Sequence, residues 1–125
     1  MKMAYIDENS NINELKNLVK KFCDEREWDQ YHNAKDLAIG IITESSELLE
    51  HFRFKSDKEV EEVIKQKKGE VSEELADILF FILRLAQRYD IDISSEFQKK
   101  MEKNTKKYPI EKAKGSNKKY SEYEK

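Results

Sequence analysis

The chain has 125 residues, the size of one domain. Charged residues make up 40% of it and apolar residues only 38%, with 3 Gly and 1 Pro. Average usage would give about nine Gly and six Pro in this length. Folds built from many short strands and tight turns need far more of both, so the composition predicts an all-α protein, a bundle of four to five helices.

Several classes of protein are excluded by the same composition. No stretch approaches the roughly 20 apolar residues of a membrane span, and the first residues contain no apolar run typical of a signal peptide. A single cysteine, Cys23, cannot form an intrachain disulfide. The net charge of −2 shows no general excess of positive charge of the kind that binds nucleic acid. We therefore expect a cytoplasmic protein that binds neither nucleic acid nor membranes.

The first two predicted helices follow from apolar spacing. Asn11 is an N-cap candidate for a helix that carries apolar side chains one turn apart from Leu15 to Phe22. The segment from 24 to 36 has no clear period. A second helix then places apolar residues on one broad face between Leu37 and Phe52.

The second half of the chain contains further helix signals. Ser56 and Glu59 have the spacing of a capping box, which predicts a short polar helix to about Lys68, with a break at Gly69. A third long helix with a wide apolar band from Val71 to Tyr89 is expected to be the most buried element.

The last predicted helix starts at a cap residue, Asp92 or Ser94. Its inward side chains are expected to be Phe97, Met101 and Asn104. Pro109 disfavours helical backbone at Tyr108 and should end the helix there. Residues 110–125 are polar and without period, so we expect a domain over residues 1–109 and a mobile tail after it.

Two windows, 36–50 and 69–83, contain no Lys or Arg in a chain otherwise rich in Lys. Each carries a pair of acids one helical turn apart, Glu44 with Glu47 and Glu74 with Asp77. In an antiparallel helix pair all four carboxylates can point into one space, where they would repel one another without a cation. A hard divalent cation such as Mg²⁺ or Mn²⁺ takes oxygen ligands of this kind. The alternative to a metal site is an acidic helix face that is exposed to solvent.

Five segments of the sequence resemble one family in their order: EWDQYH at 27–32, ESSELLE at 44–50, EELAD at 73–77, KMEKN at 100–104 and KYP at 107–109. They are similar to the MazG-like nucleotide pyrophosphohydrolases, and most to the dCTP pyrophosphatase branch. The resemblance extends over roughly residues 25–119. It implies an all-α, Mg²⁺-dependent enzyme, with Mn²⁺ as a substitute, that hydrolyses a nucleoside triphosphate to the monophosphate and pyrophosphate.

The resemblance also implies roles for particular residues. The metal ligands would be Glu44, Glu47, Glu74 and Asp77, with Glu47 or Glu44 as the catalytic base. Contacts to the nucleotide would come from Trp28, His32, Phe54, Phe81, Lys100, Asn104, Lys107 and Tyr108. The branch tends to have Trp at position 54 and Tyr at position 81, so the preferred base and sugar are open. dCTP or a modified pyrimidine nucleotide is the expected substrate.

Some of these residues have a plain structural alternative. Trp28 offers a stacking face but is as readily a core residue, and His32 could instead cap the following helix. Lys100 and Lys107 could be ordinary surface lysines. For the whole chain, the alternative to an enzyme is a catalytically inert helical module with an acidic binding face.

Self-association is predicted from the amount of apolar surface. The second and third helices carry apolar residues on more than one side, such as Ile39, Ile42 and Leu49. A second subunit could cover what the bundle leaves exposed. The resemblance implies a homo-oligomer, a tetramer more than a dimer, in which Trp28 or the segment 100–108 reaches a neighbour's carboxylates.

Overall fold

The computed structural model of the chain describes residue 2 and residues 4–123, and within them every regular element is helical. This confirms the predicted all-α class. The helices are α1 (Ile12–Glu25), α2 (Ala34–Glu50), α3 (Asp57–Gln66), α4 (Lys68–Arg88), α5 (Ile93–Lys107) and the short α6 (Ile110–Ala113). The chain divides into two compact units, Met1–Ile91 and Asp92–Lys125. None of the described helices is long and apolar enough to cross a bilayer.

Short polar side chains determine where four of the helices begin. The side chains of Asn11, Asn33, Ser56 and Asp92 each accept a hydrogen bond from the backbone N–H three residues on. Each of them satisfies one of the free donors at a helix start. Ser56 and Glu59 form the full capping box that the sequence predicts. Asp92, and not Ser94, caps α5.

The predicted boundary between α3 and α4 is wrong. The polar helix α3 ends at Gln66, Lys67 is the single joint, and α4 already begins at Lys68. Gly69 therefore lies in the first turn of α4, where one glycine costs about 1 kcal/mol and does not stop a helix. Phe52 also lies beyond the helix predicted to carry it, because α2 ends at Glu50.

The core of the first unit is small and forms where α1 meets α4. Val19, Cys23 and Leu83 are buried together, and Trp28 and Phe80 pack against them. Helix α4 contributes more buried residues than any other described helix, which confirms its prediction as the most buried element. Cys23 is fully buried, as expected of a small core residue.

Helices α2 and α4 run antiparallel. The backbone N–H of Ala34, at the start of α2, donates to the hydroxyl of Tyr89, just after α4, at 2.8 Å. Further along, the ring of Phe81 lies directly against Gly40, in the space that a Cβ on residue 40 would fill. This contact fixes how close the two helices come and in which register.

The second unit consists of α5, α6 and the segment up to residue 123. Phe97 is 66% exposed and Met101 49% exposed, so the expected inward orientation of these two side chains is wrong. A unit of this length has too little chain to bury an apolar stripe. After α6, the rings of Tyr120 and Tyr123 pack on Tyr108 with centroid distances of 6.1 and 5.8 Å. The predicted domain boundary at residue 109 stays a prediction.

The contact of Gly40 with Phe81 leads to a stability prediction. A Cβ at position 40 would lie 2.5 Å from two ring carbons of Phe81. We expect Gly40→Ala to lower the free energy of unfolding by about 1–3 kcal/mol, because the ring must move. Gly69→Ala is the matched control, since a Cβ placed there would meet no described atom within 4 Å outside the adjacent residues and the backbone of its own helix. Thermal unfolding compares them, and equal effects at both positions would contradict the close packing.

Candidate metal centre

Three carboxylates meet between α2 and α4. Glu44 from α2 and Glu74 and Asp77 from α4 each offer one oxygen, and these oxygens lie within 4.8 Å of one another. The i, i+3 spacing places Glu74 and Asp77 on one side of α4. Glu44 is half-buried on the inward seam of α2, between the fully buried Leu37 and the half-buried Leu48. The structure therefore brings three of the four predicted acids into one cluster.

The fourth acid, Glu47, adjoins this cluster from the exposed side of α2. Its side chain lies beside both Glu44 and Glu74 and raises the pKa of each. Glu47 thus belongs to the same charge cluster but remains open to solvent. A carboxylate in that position is accessible to water.

Crowding of these acids changes how they titrate. Burial, and after it the neighbouring Glu47 carboxylate, raise the pKa of Glu44 to about 7. Burial and Glu47 also raise the pKa of Glu74, while His51 acts in the opposite direction. The His51 Nε2 atom lies 3.9 Å from Glu74 Oε1. Glu44 is therefore largely protonated below neutral pH when no cation is bound.

The residues of the cluster fit a hard divalent cation. Glu44 Oε2 and Glu74 Oε2 are buried and accept no hydrogen bond from the described residues. Buried oxygens without donors are costly, and a bound cation would satisfy them. All the candidate ligand atoms in the cluster are carboxylate oxygens, the type of ligand that Mg²⁺ and Mn²⁺ bind.

Phe81 and Phe54, both predicted to contact the nucleotide, differ in their surroundings. Phe81 is half-buried, one turn beyond Asp77 on α4. Phe54 follows α2, is 92% exposed and has a left-handed backbone with φ of 62°. The guanidinium of Arg53 lies 4.5 Å from the centroid of its ring. Phe81 thus lies near the carboxylates, whereas Phe54 is turned to solvent.

Trp28 and His32 belong to a separate cluster between α1 and α2. Trp28 packs on the core and meets Phe22 at a centroid distance of 5.4 Å and His32 at 5.6 Å. Packing of this kind supports the core alternative for Trp28 without testing a contact to a nucleotide. Both roles predicted from the resemblance stay predictions.

The sequence reasoning missed Arg84, the one charged side chain that is fully buried among the described residues. It reaches from α4 to Asp29 and His32. The signal was present in the sequence, because Arg84 is the first base after the second base-free window and interrupts the apolar run FFILRLA. An arginine within an apolar run is typically buried only when it is paired.

The remaining predicted nucleotide contacts lie in the second unit, on α5 and directly after it. Lys100 is exposed, while Asn104 and Lys107 are half-buried. The backbone N–H of Tyr108 donates to the carbonyl oxygen of Asn104 at 2.8 Å and ends α5. The ammonium of Lys107 lies 4.8 Å from the centroid of the Tyr120 ring. Their contacts to a nucleotide stay predictions.

Comparison with known proteins identifies the family of the chain. The sequence model of the MazG-like family matches residues 39–123. The chain belongs to the MazG-like family. It is 33% identical to dCTP pyrophosphatase 1 of Rattus norvegicus and 31% identical to that of Homo sapiens, in each case over 113 residues and 89% of this chain. The chain spans 66% of the length of these curated relatives.

A solved structure is similar over nearly its whole length. A pyrophosphatase from Archaeoglobus fulgidus DSM 4304 shares 39% sequence identity with a TM-score of 0.76. The match covers 86% of this chain and 99% of that protein. The predicted MazG-like family, and the predicted similarity to dCTP pyrophosphatases, are thereby confirmed.

The raised pKa of Glu44 makes the stability of the metal-free protein depend on pH. Its pKa is 4.5 in an unperturbed glutamate and about 7 here, so folding favours the protonated form. The contribution of Glu44 to stability is complete below about pH 4.5 and is lost as the pH rises through about 7. Glu44→Gln removes this loss. In EDTA at pH 8, we expect the free energy of unfolding of the Glu44→Gln variant to be about 1–3 kcal/mol higher than that of the wild type. At pH 5 we expect a smaller difference between the two proteins.

Chemical denaturation of both proteins at the two pH values measures this difference. Glu73→Gln is the matched control, because Glu73 is an exposed glutamate on α4, next to Glu74 in the sequence. A difference between Glu44→Gln and wild type that does not change with pH would contradict the crowded carboxylates.

Proposed function

We propose that the chain is a Mg²⁺-dependent nucleoside triphosphate pyrophosphohydrolase. The observation that carries the proposal is the convergence of Glu44, Glu74 and Asp77, with two buried oxygens that accept no hydrogen bond from the part of the chain that the structure describes. The names of the similar proteins, dCTP pyrophosphatase and pyrophosphatase, favour the same reaction. An inert binding module would have no reason to bury unpaired carboxylates.

In this proposal Glu44, Glu47, Glu74 and Asp77 hold the metal. When bound, Mg²⁺ supplies charge neutralisation of the phosphates and a more acidic water. Mn²⁺ takes the same ligands and could replace it. The four carboxylates repel a triphosphate unless they are neutralised, so metal and substrate binding are linked.

Glu47 is the carboxylate best placed to take the proton of the attacking water. Glu47 is exposed, as Asp77 is, and its side chain lies beside both Glu44 and Glu74. Glu44, the half-buried acid beside it, is the second candidate. Attack at the α-phosphorus breaks its bond to the bridging oxygen of the β-phosphate, which gives the nucleoside monophosphate and pyrophosphate.

For the substrate we propose a deoxynucleoside triphosphate, with dCTP or a modified pyrimidine as the candidate. The dCTP pyrophosphatase relatives favour this choice. Phe81, near the carboxylates, offers a face on which a base can stack. Nucleotide contacts from Trp28, His32, Phe54, Lys100, Asn104, Lys107 and Tyr108 are part of the same proposal.

A panel of nucleoside triphosphates tests the function. We expect pyrophosphate release with Mg²⁺, none with EDTA, and the highest kcat/KM with dCTP or a modified pyrimidine. Asp77→Asn should lower kcat by at least about 100-fold, since the metal contributes several kcal/mol to the barrier. Glu73→Gln, one residue before Glu74 and exposed, should keep wild-type rates. Full activity in Asp77→Asn, or a panel without any release, would refute the assignment.

We also propose that the chain acts as a homo-oligomer, a tetramer rather than a dimer. Large apolar side chains are exposed on both helices of the site, Ile39, Ile42 and Leu49 on α2 and Leu75 on α4, each more than half exposed. Phe54 adds a nearly free aromatic ring. Apolar surface of this extent is typical of a contact with another subunit.

Light scattering at micromolar concentration measures the assembly. We expect a mass of several chains of 14.9 kDa each, and Ile42→Lys should reduce it by placing a charge on the apolar surface of α2. A fully active species with the mass of one chain would contradict both the oligomer and a site shared between subunits.

A further inference from the structure

A second cluster of charges lies on α4, beyond the carboxylates. Arg84 is 0% exposed, and all its hydrogen bonds go to side chains. Its Nε donates to His32 Nδ1 at 2.9 Å, its Nη2 to Asp29 Oδ1 at 2.5 Å, and its Nη1 to Gln87 Oε1 at 2.6 Å. Three nitrogens of the guanidinium are therefore paired, as a buried charge requires.

The bond from Arg84 determines the protonation of His32. Because a guanidinium does not deprotonate in proteins, it is always the donor, and His32 Nδ1 must be the acceptor. The imidazole is then neutral and carries its proton on Nε2. Burial and Arg84 lower the pKa of His32, in agreement with the geometry. The other charged groups near it are Asp29, Arg88 and Asp36.

Arg88 contacts the backbone of the segment that carries Asp29 and His32. Its Nε lies 3.5 Å from the carbonyl oxygen of His32, and its Nη2 3.5 Å from that of Asp29. On the other side Trp28 packs against the core. The turn from 28 to 32 is thus held at both ends although it contains no long helix.

We propose that Arg84 is a positioning residue that fixes the 28–32 turn on α4 and presents His32 as a neutral donor through Nε2–H. A neutral N–H donor suits an uncharged acceptor, such as a carbonyl oxygen of the base or a hydroxyl of the sugar. Contact with a phosphate would instead favour the imidazolium form. The inference rests on the proposed nucleotide function, in which the resemblance implies that His32 lies near the base and sugar of the substrate.

NMR of the ring nitrogens tests the arrangement without any need for activity. The chain has only two histidines, and His51→Gln assigns the signals. In the wild type we expect His32 as the Nε2–H tautomer, with a pKa below that of an ordinary histidine. In Arg84→Met the pKa should rise towards its usual value. A wild-type His32 protonated on Nδ1 would overturn the proposal even if no Arg84 variant folds.

Kinetics then separate positioning from a purely structural role. We expect Arg84→Met to raise KM for the nucleotide about tenfold, the effect of one lost hydrogen bond, with kcat nearly unchanged. Arg84→Lys keeps the charge and should recover part of the loss. In a His32→Ala background, Arg84→Met should raise KM by clearly less than tenfold, because part of the effect of Arg84 is exerted through His32. Additive effects of the two variants would overturn the proposal.

Lys20→Met is the matched control. It also removes a cation paired with an aspartate, Asp24, but at an exposed site on α1. We expect it to leave KM within twofold of the wild type. A wild type that releases no pyrophosphate from any nucleotide refutes the proposed function and the nucleoside role of His32 together. The NMR result still reports separately whether Arg84 holds His32, so the two failures are distinguishable.

Discussion

The antiparallel packing of α2 against α4 determines which side chains meet at the site. Gly40 lets the Phe81 ring approach the α2 backbone, and this contact sets the register of the two helices. With that register, Glu44 faces Glu74 and Asp77. The packing must hold together helices whose facing carboxylates repel each other. Apolar contact on one stretch of the interface therefore supports a charge cluster on the next.

Acidic and basic side chains lie on different stretches of α4. Its first half carries Glu74 and Asp77 and no base after Lys68, while its last turns carry Arg84 and Arg88. The acids meet other acids from α2, whereas the two arginines meet Asp29 and His32 from the turn after α1. Helix α4 thus contributes two acids to the carboxylate cluster and, in its last turns, two arginines that hold the turn from 28 to 32. The separation matters because an arginine beside Glu44 would satisfy the buried oxygens and leave no place for a metal.

Local sequence was sufficient to predict much of this architecture. The caps at Asn11, Ser56 and Asp92 act within three residues, and the acid pairs follow from helical spacing alone. Features that depend on distant residues were not predictable in this way. The pairing of Arg84 with Asp29 joins residues 55 positions apart. The exposure of Phe97 depends on how little chain surrounds α5, which its own amphipathic pattern does not reveal.

The buried guanidinium also has a consequence for how this protein can evolve. Replacing Arg84 alone would leave Asp29 and His32 without their donor, and replacing Asp29 alone would leave a buried positive charge less well balanced. Each single step is unfavourable, whereas a joint exchange to smaller, uncharged residues is not. Among relatives, positions 29, 32 and 84 are therefore expected to covary, and a chain with an apolar residue at 84 must fasten this turn by other means.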